Sequence, residues 1–190
     1  MIGEICASPH IQKMIDLKKH RSCKIYVEIG VLYGGSLIKQ MEDNQECRFI
    51  GIDPFSGYYG NTYDPHRRVD LTDHLEIVNK NITENNPHNH IFDLIKGFSN
   101  ECMKPLKDLL KQDKIDYLFI DGDHSYQGVM QDFNNYKQFM NQDGLMVFDN
   151  YNDPNWQEVK VAVDEIIENH RDVELIDKFG HCAVIKIQGI

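Results

Sequence analysis

At 190 residues, 41% of them apolar, and with a formal net charge of −10, the chain is long enough to bury one substantial core and short for two ordinary domains. The acidic balance repels phosphate backbones and anionic membrane surfaces, which excludes nucleic acid and lipid as expected partners. No apolar run approaches the roughly 20 residues of a membrane helix, and the first residues lack a signal peptide's apolar core. The expectation is a single cytoplasmic domain over residues 1–190.

Taken in chain order, short apolar runs alternate with amphipathic stretches. Ser8 followed by Pro9 reads as a cap and first-turn pair opening a helix over 8–20. A strand at 24–28, a helix at 35–43, a strand at 49–53 and a helix at 71–85 follow. The Asn81-Ile82-Thr83 sequon falls inside that helix and reads as an ordinary helix segment. Next come a strand at 92–95, a helix at 101–111 and a strand at 116–121. Val129, Phe133, Tyr136 and Met140 recur at spacings of three and four, which predicts a helix over 125–141 with one apolar stripe. A strand at 145–149, a helix at 155–170 and strands at 173–177 and 182–187 complete the chain, the last two joined by only Lys178 to His181. Right-handed crossovers turn this order into an α/β, Rossmann-like, doubly wound, mostly parallel seven-stranded sheet with a C-terminal antiparallel hairpin.

Five cysteines, Cys6, Cys23, Cys47, Cys102 and Cys182, form no C-x-x-C pair, and several sit in apolar runs. Neither a disulfide framework nor a zinc knuckle is expected.

In such a sheet, chemistry gathers at the carboxyl ends of the strands. The first strand ends in Glu28-Ile29-Gly30-Val31-Leu32-Tyr33-Gly34-Gly35-Ser36. Glycines there let the backbone turn sharply and approach a ligand. A nicotinamide-binding G-x-G-x-x-G read from Gly30 fails, because Leu32 stands where a pyrophosphate needs bare backbone. Asp53 ends the second strand 23 positions after Gly30, close to the usual separation for a ribose-binding acid, although a turn residue before Pro54 is the plainer reading. Asp121-Gly122-Asp123-His124-Ser125-Tyr126 follows the fourth strand, and Asp149-Asn150 follows the fifth 28 positions on. Asp121, Asp149 and Asn150 should therefore converge at neighbouring strand ends, as hard oxygen ligands suited to a magnesium-type ion.

The E-x-G-x-x-x-G-x-S stretch resembles motif I of class I S-adenosylmethionine-dependent methyltransferases. The Asp121 and Asp149-Asn150 pattern resembles the metal-dependent O-methyltransferases of the catechol O-methyltransferase type. The string from Asp121 to Tyr126, with Asp132 and Gly144, is similar to a bacterial subgroup that includes macrolide sugar O-methyltransferases. The resemblance spans roughly residues 25–151 and implies the following roles. Glu28 fixes the first loop, Gly30, Gly34 and Ser36 line the methionine end of S-adenosylmethionine, Asp53 holds the ribose, and Ser99 touches the adenine side, with a helix cap as the alternative for Ser99. Asp121 borders both cofactor and metal. His124 stands where catechol-type enzymes place a lysine, and is the candidate catalytic base, with orientation of a neighbour or metal ligation as alternatives. Gly122 is bare where the catechol-type enzyme has a histidine.

The implied activity is transfer of methyl from S-adenosylmethionine, assisted by Mg2+ or another divalent cation, to a hydroxyl of a small molecule; a homo-oligomer is left open. A catalytically silent cofactor-binding module and a hydroxylase-related branch are the competing readings. The stretch 54–67, with Phe55, Tyr58, Tyr59 and Tyr63, reads either as a lid over the acceptor or as core packing, and Trp156 as its rim. His88 and His90 read as solvated loop residues, and His181 as structural or rim-lining.

Overall fold

The computed structural model describes residues 9–56 and 73–189. Within them, helices α1 (Pro9–His20), α2 (Gly35–Gln40), α3 (His74–Asn85), α4 (Met103–Leu110), α5 (Tyr126–Tyr136) and α6 (Gln157–Asn169) surround one sheet. Its strands are β1 (Ile25–Ile29), β2 (Arg48–Asp53), β3 (Phe92–Lys96), β4 (Ile115–Ile120), β5 (Met140–Phe148), β6 (Val173–Phe179) and β7 (Cys182–Ile187), in the spatial order β3-β2-β1-β4-β5-β7-β6. The first five are parallel, and β7 runs antiparallel between β5 and β6. The doubly wound expectation holds, and the chain reverses its winding direction between β1 and β4.

Burial on both faces explains why the strands read as continuous apolar runs. Val27, Leu118 and Met146 point into a core closed by Leu106 of α4, Val129 and Phe133 of α5, and Val163 and Ile166 of α6. Tyr26, Tyr117 and Val147 point the other way, against Met14 of α1, Leu37 of α2, and Val78 and Ile82 of α3. Each such fully buried aliphatic or aromatic side chain stabilises the fold by about 1.5–3 kcal/mol relative to exposure. No helix among the described residues is long and apolar enough to cross a membrane.

Three boundaries differ from expectation. The helix expected to run to residue 43 stops at Gln40, with Met41 closing it through bonds to the Leu37 and Ile38 carbonyls. The helix expected over 101–111 is split: a 3-10 turn at Ser99–Glu101 precedes α4. The helix expected over 125–141 ends at Tyr136, passes through a 3-10 turn at Lys137–Phe139, and gives way to β5 already at Met140. The reason is a bulge: Ile115 pairs with Met140 but Tyr117 with Leu145, and Asp143 takes φ 63 just before Gly144. Met140 is buried by a strand rather than a helix, which satisfies the same apolar signal.

The remaining helices begin where local chemistry directs. Ser125 caps α5 by accepting the Gly128 N–H at 3.0 Å. Gly128 has to be glycine, because a Cβ there would lie 2.5 Å from Asp123 Cγ. Ser8, Leu71 and the segment with Tyr58, Tyr59, Tyr63 and Arg67 lie outside the described residues.

Candidate active site

The carboxyl edge of the sheet is knitted beyond the strands by a row of backbone hydrogen bonds. Gly97 N–H donates to Asp53 O at 3.0 Å, Gly30 N–H to Ile52 O at 2.9 Å, Asp121 N–H to Ile29 O at 2.9 Å and Asp149 N–H to Ile120 O at 3.1 Å. Five strand ends are thereby fixed in one line, and they carry most of the residues singled out in the sequence.

At the end of β1, Glu28 is fully buried and accepts from Tyr26 Oη at 2.8 Å and Ser36 Oγ at 2.5 Å. Burial pushes its carboxyl up to about 8; the two hydroxyls pull down, and the Asp121 and Asp53 charges push up again. Glu28 thus ties the start of α2 back to the sheet. Gly30 takes φ 89 and Gly34 φ 83, and between them Leu32 is held at φ 50 with its side chain 37% exposed. Gly34 packs on α3, where a Cβ would stand 3.2 Å from Ile82 Cγ1.

Asp53 holds this loop from the neighbouring strand. Its Oδ2 accepts the Val31 and Leu32 N–H groups at 3.0 and 3.1 Å, and Oδ1 accepts Phe55 N–H at 2.7 Å. A carboxylate offers about four acceptor positions, so most of its capacity already serves the protein. Phe55 is 2% exposed and lies edge-on to His74 at 5.6 Å. Of the two readings for the 54–67 stretch, Phe55 takes core packing.

The acids after β4 and β5 do come together. Burial raises the Asp121 carboxyl to about 7, the His124 hydrogen bond lowers it, and the neighbouring Asp149 charge raises it. His124 Nε2 lies 3.2 Å from Asp121 Oδ1, and its ring meets Trp156 edge-on at 4.8 Å. Burial alone would lower the imidazole's pKa, but the hydrogen bond to Asp121 and the charges of Asp121, Asp149 and Asp123 outweigh it and raise the value. Asp149 Oδ1 also accepts from Cys182 Sγ at 3.3 Å. Asn150, at φ 57, donates from its amide nitrogen to Asp153 Oδ2 at 3.2 Å.

On the β3 side, Ser99 is part-buried in its 3-10 turn, and its carbonyl accepts from Tyr136 Oη at 2.8 Å. Phe98 beside it is 61% exposed. Asp132 lies beneath, 1% exposed, without a well-formed hydrogen bond to either oxygen. Burial lifts its carboxyl to about 6, and the Ser99 hydroxyl partly offsets this. Its signal in the sequence was an acid inside the apolar stripe of α5, between Val129 and Phe133. His88 and His90 bind the Glu42 and Asp43 carbonyls, and the His181 carbonyl accepts Tyr151 N–H at 2.6 Å, so all three contribute structural contacts.

The reversed-winding parallel sheet closed by an antiparallel pair, with a glycine turn beside paired acids, is built on a fold shared with solved O-methyltransferases. The chain belongs to the methyltransferase domain family, whose model matches residues 27–151. It is 38% identical over 144 residues to an uncharacterised protein of Acanthamoeba polyphaga mimivirus, a match covering 75% of this chain and 58% of that relative's length. Among solved structures it is similar to the O-methyltransferase of Bacillus cereus in complex with SAH, at TM-score 0.70 and 17% identity, covering 99% of this chain and 84% of that one. It is also similar to TomG, an O-methyltransferase of Streptomyces achromogenes involved in tomaymycin synthesis and solved with SAM, at TM-score 0.69 and 17% identity, covering 97% and 82%.

Proposed function

We propose that this protein transfers the methyl group of S-adenosylmethionine to a hydroxyl of a small molecule, with a divalent cation held by Asp121 and Asp149. The observation that carries the reading is the juxtaposition of the Gly30 turn with the Asp121 segment, where a Cβ on Gly30 would stand 2.0 Å from Asp121 O. A methyl donor seated on that turn lies beside the acids that would receive the acceptor.

The chain's residues divide the work. Asp53 holds the Val31–Leu32 backbone, and Glu28 holds Ser36 at the start of α2. With its remaining acceptor position, Asp53 takes a ribose hydroxyl, while exposed Leu32 and Phe98 offer apolar surface on either side. Gly122 leaves room above buried Asp132. Asp121, raised first by burial and further by the neighbouring Asp149 charge, suits a hard cation shared with Asp149, and Asn150, whose amide nitrogen donates to Asp153, would add its amide oxygen. A cation there lowers the pKa of a bound hydroxyl. His124, on the same carboxylate, accepts the acceptor's proton once the acids' charge is neutralised. The net charge of −10 favours a neutral or cationic acceptor over nucleic acid.

The test is a cofactor-consumption screen over phenolic, catecholic and sugar acceptors, with and without magnesium, beside calorimetry with S-adenosylmethionine. Expected are binding weakened by Asp53→Ala and turnover stopped by chelator or by Asp149→Ala. Turnover indifferent to both chelator and Asp149→Ala would remove the cation from the reaction, and absence of cofactor binding would remove the reaction itself.

A further inference from the structure

We propose that His10, Asp149 and Cys182 form a binding site for a zinc-type transition-metal ion, distinct in ligand chemistry from the oxygen-ligand pair Asp121 and Asp149. A nitrogen, a carboxylate oxygen and a sulfur from these three residues lie within 4.8 Å of one another. They come from three separate elements: the first turn of α1, the end of β5 and the start of β7. This dispersal explains why no sequence spacing announced the cluster.

The fold places them firmly. Phe148 pairs with Ala183 across the antiparallel ladder, which sets Cys182 beside Asp149. Tyr151 N–H, bonded to His181 O at 2.6 Å, locks the chain on both sides of that contact. The hairpin turn lies against α1, where a Cβ on Gly180 would stand 3.2 Å from His10 Cβ. Cys182 is fully buried, while His10 and Asp149 keep partial access to solvent. An ion therefore has an entry side and a closed floor.

Bond lengths decide which ion fits. Tetrahedral zinc, with bonds of about 2.0–2.3 Å to nitrogen, oxygen and sulfur, places its ligand atoms about 3.4–3.6 Å apart. Cys182 Sγ and Asp149 Oδ1 already stand 3.3 Å apart. The widest separation needs to close by only about 1 Å, within reach of side-chain rotation. A thiolate and a carboxylate together neutralise a dication, and a thiolate disfavours magnesium or calcium. Three protein ligands leave a fourth position for water or a small ligand. Because Asp149 belongs to both sets, a zinc-type ion would draw it away from Asp121; that consequence alone rests on the proposed function.

Cobalt(II) is the direct probe. Titration of the reduced, metal-free full chain is expected to give a thiolate-to-cobalt charge-transfer band and the strong visible bands of four-coordinate cobalt, saturating at one equivalent and reversed by zinc. Cys182→Ser should abolish the charge-transfer band, and His10→Gln should weaken binding at least about tenfold. Asp121→Asn should leave the thiolate band in place. Circular dichroism of each variant confirms folding, and His10→Gln, on a part-buried helix position, keeps the test open if Cys182→Ser unfolds. Cobalt binding without a thiolate band, or a band indifferent to both Cys182→Ser and His10→Gln, overturns the site. Loss of cobalt binding in Asp121→Asn with no effect of Cys182→Ser would place the ion in the oxygen set instead. Methyl-transfer activity does not enter these readouts, so failure here and failure of the proposed function are separable.

Discussion

Gly30 and the Asp121 carbonyl are in such close approach that a single Cβ on Gly30 would reach within 2.0 Å of the oxygen and 2.5 Å of its carbon. Both partners are backbone, fixed by the Gly30-to-Ile52 and Asp121-to-Ile29 hydrogen bonds, so neither can swing aside as a flexible side chain would. Gly30→Ala adds the strain of φ 89 to that overlap and is expected to cost about 2–4 kcal/mol. Urea denaturation would show it as a lowered midpoint. A wild-type midpoint in the variant would mean that the two segments separate easily, and the compact turn would lose its explanation.

Glu28 makes the stability of the fold depend on pH. Its folded-state value of about 8 lies above the ordinary glutamate value, so folding takes up a proton between the two. Its contribution is full below the unfolded value and is lost as pH rises through about 8. Asp132, raised to about 6, and Asp121, raised to about 7, act in the same direction but finish at lower pH. Between pH 7 and 8 Asp121 still contributes, and above about pH 8 the remaining fall belongs to Glu28 among these three acids. Glu28→Gln keeps a partner for both the Tyr26 and Ser36 hydroxyls and carries no titrating proton. Unfolding free energies measured from pH 7 to 9 in chelator should fall less steeply in the variant than in the parent; equal slopes would contradict the assignment.

The seven strands and the closing hairpin were legible because burial on both faces leaves an uninterrupted apolar run, and because one connection, Lys178 to His181, is too short for a crossover helix. Asp121 and Asp149 were legible because each directly follows such a run. For Asn150 the spacing showed the position after the fifth strand but neither its backbone at φ 57 nor the hydrogen bond of its amide nitrogen to Asp153. Met140 was assigned to a helix because a helical stripe and a buried strand both demand an apolar residue there; the Asp143-Gly144 pair was the turn signal against it. His10 lies 139 positions from Asp149, and only the packing of α1 on the last hairpin brings them together.

Lys18 is 1% exposed, yet it is held by Gln40 O at 2.8 Å, by Asp43 at 3.4 Å and by the Phe49 ring at 4.9 Å. Removing one partner of a buried ion pair leaves the other charge without compensation. Lys18→Ala should therefore cost about 3–5 kcal/mol. The double variant Lys18→Met/Asp43→Leu, which removes both charges at similar bulk, should recover most of that loss. Chemical denaturation of both variants gives the comparison, and a double variant no more stable than Lys18→Ala would show that packing, not charge, dominates the cluster.

Asp149→Asn separates stability from the proposed function. In the cation-free chain, Asp121 and Asp149 push each other's charge upward in energy, so neutralising Asp149 relieves a repulsion that exists only when both are ionised. The amide oxygen can still accept from Cys182 Sγ, so the local packing survives. Above pH 7, with chelator present, the variant is expected to be about 1–2 kcal/mol more stable than the parent. Magnesium should reverse the ranking: the parent gains stability as the ion binds the folded state, in proportion to the logarithm of its concentration, while the variant gains little. Thermal midpoints followed across a magnesium series in both proteins display the crossing. Parallel curves would mean that magnesium does not bind this pair, leaving Asp121 to its His124 contact and Asp149 to Cys182 and His10.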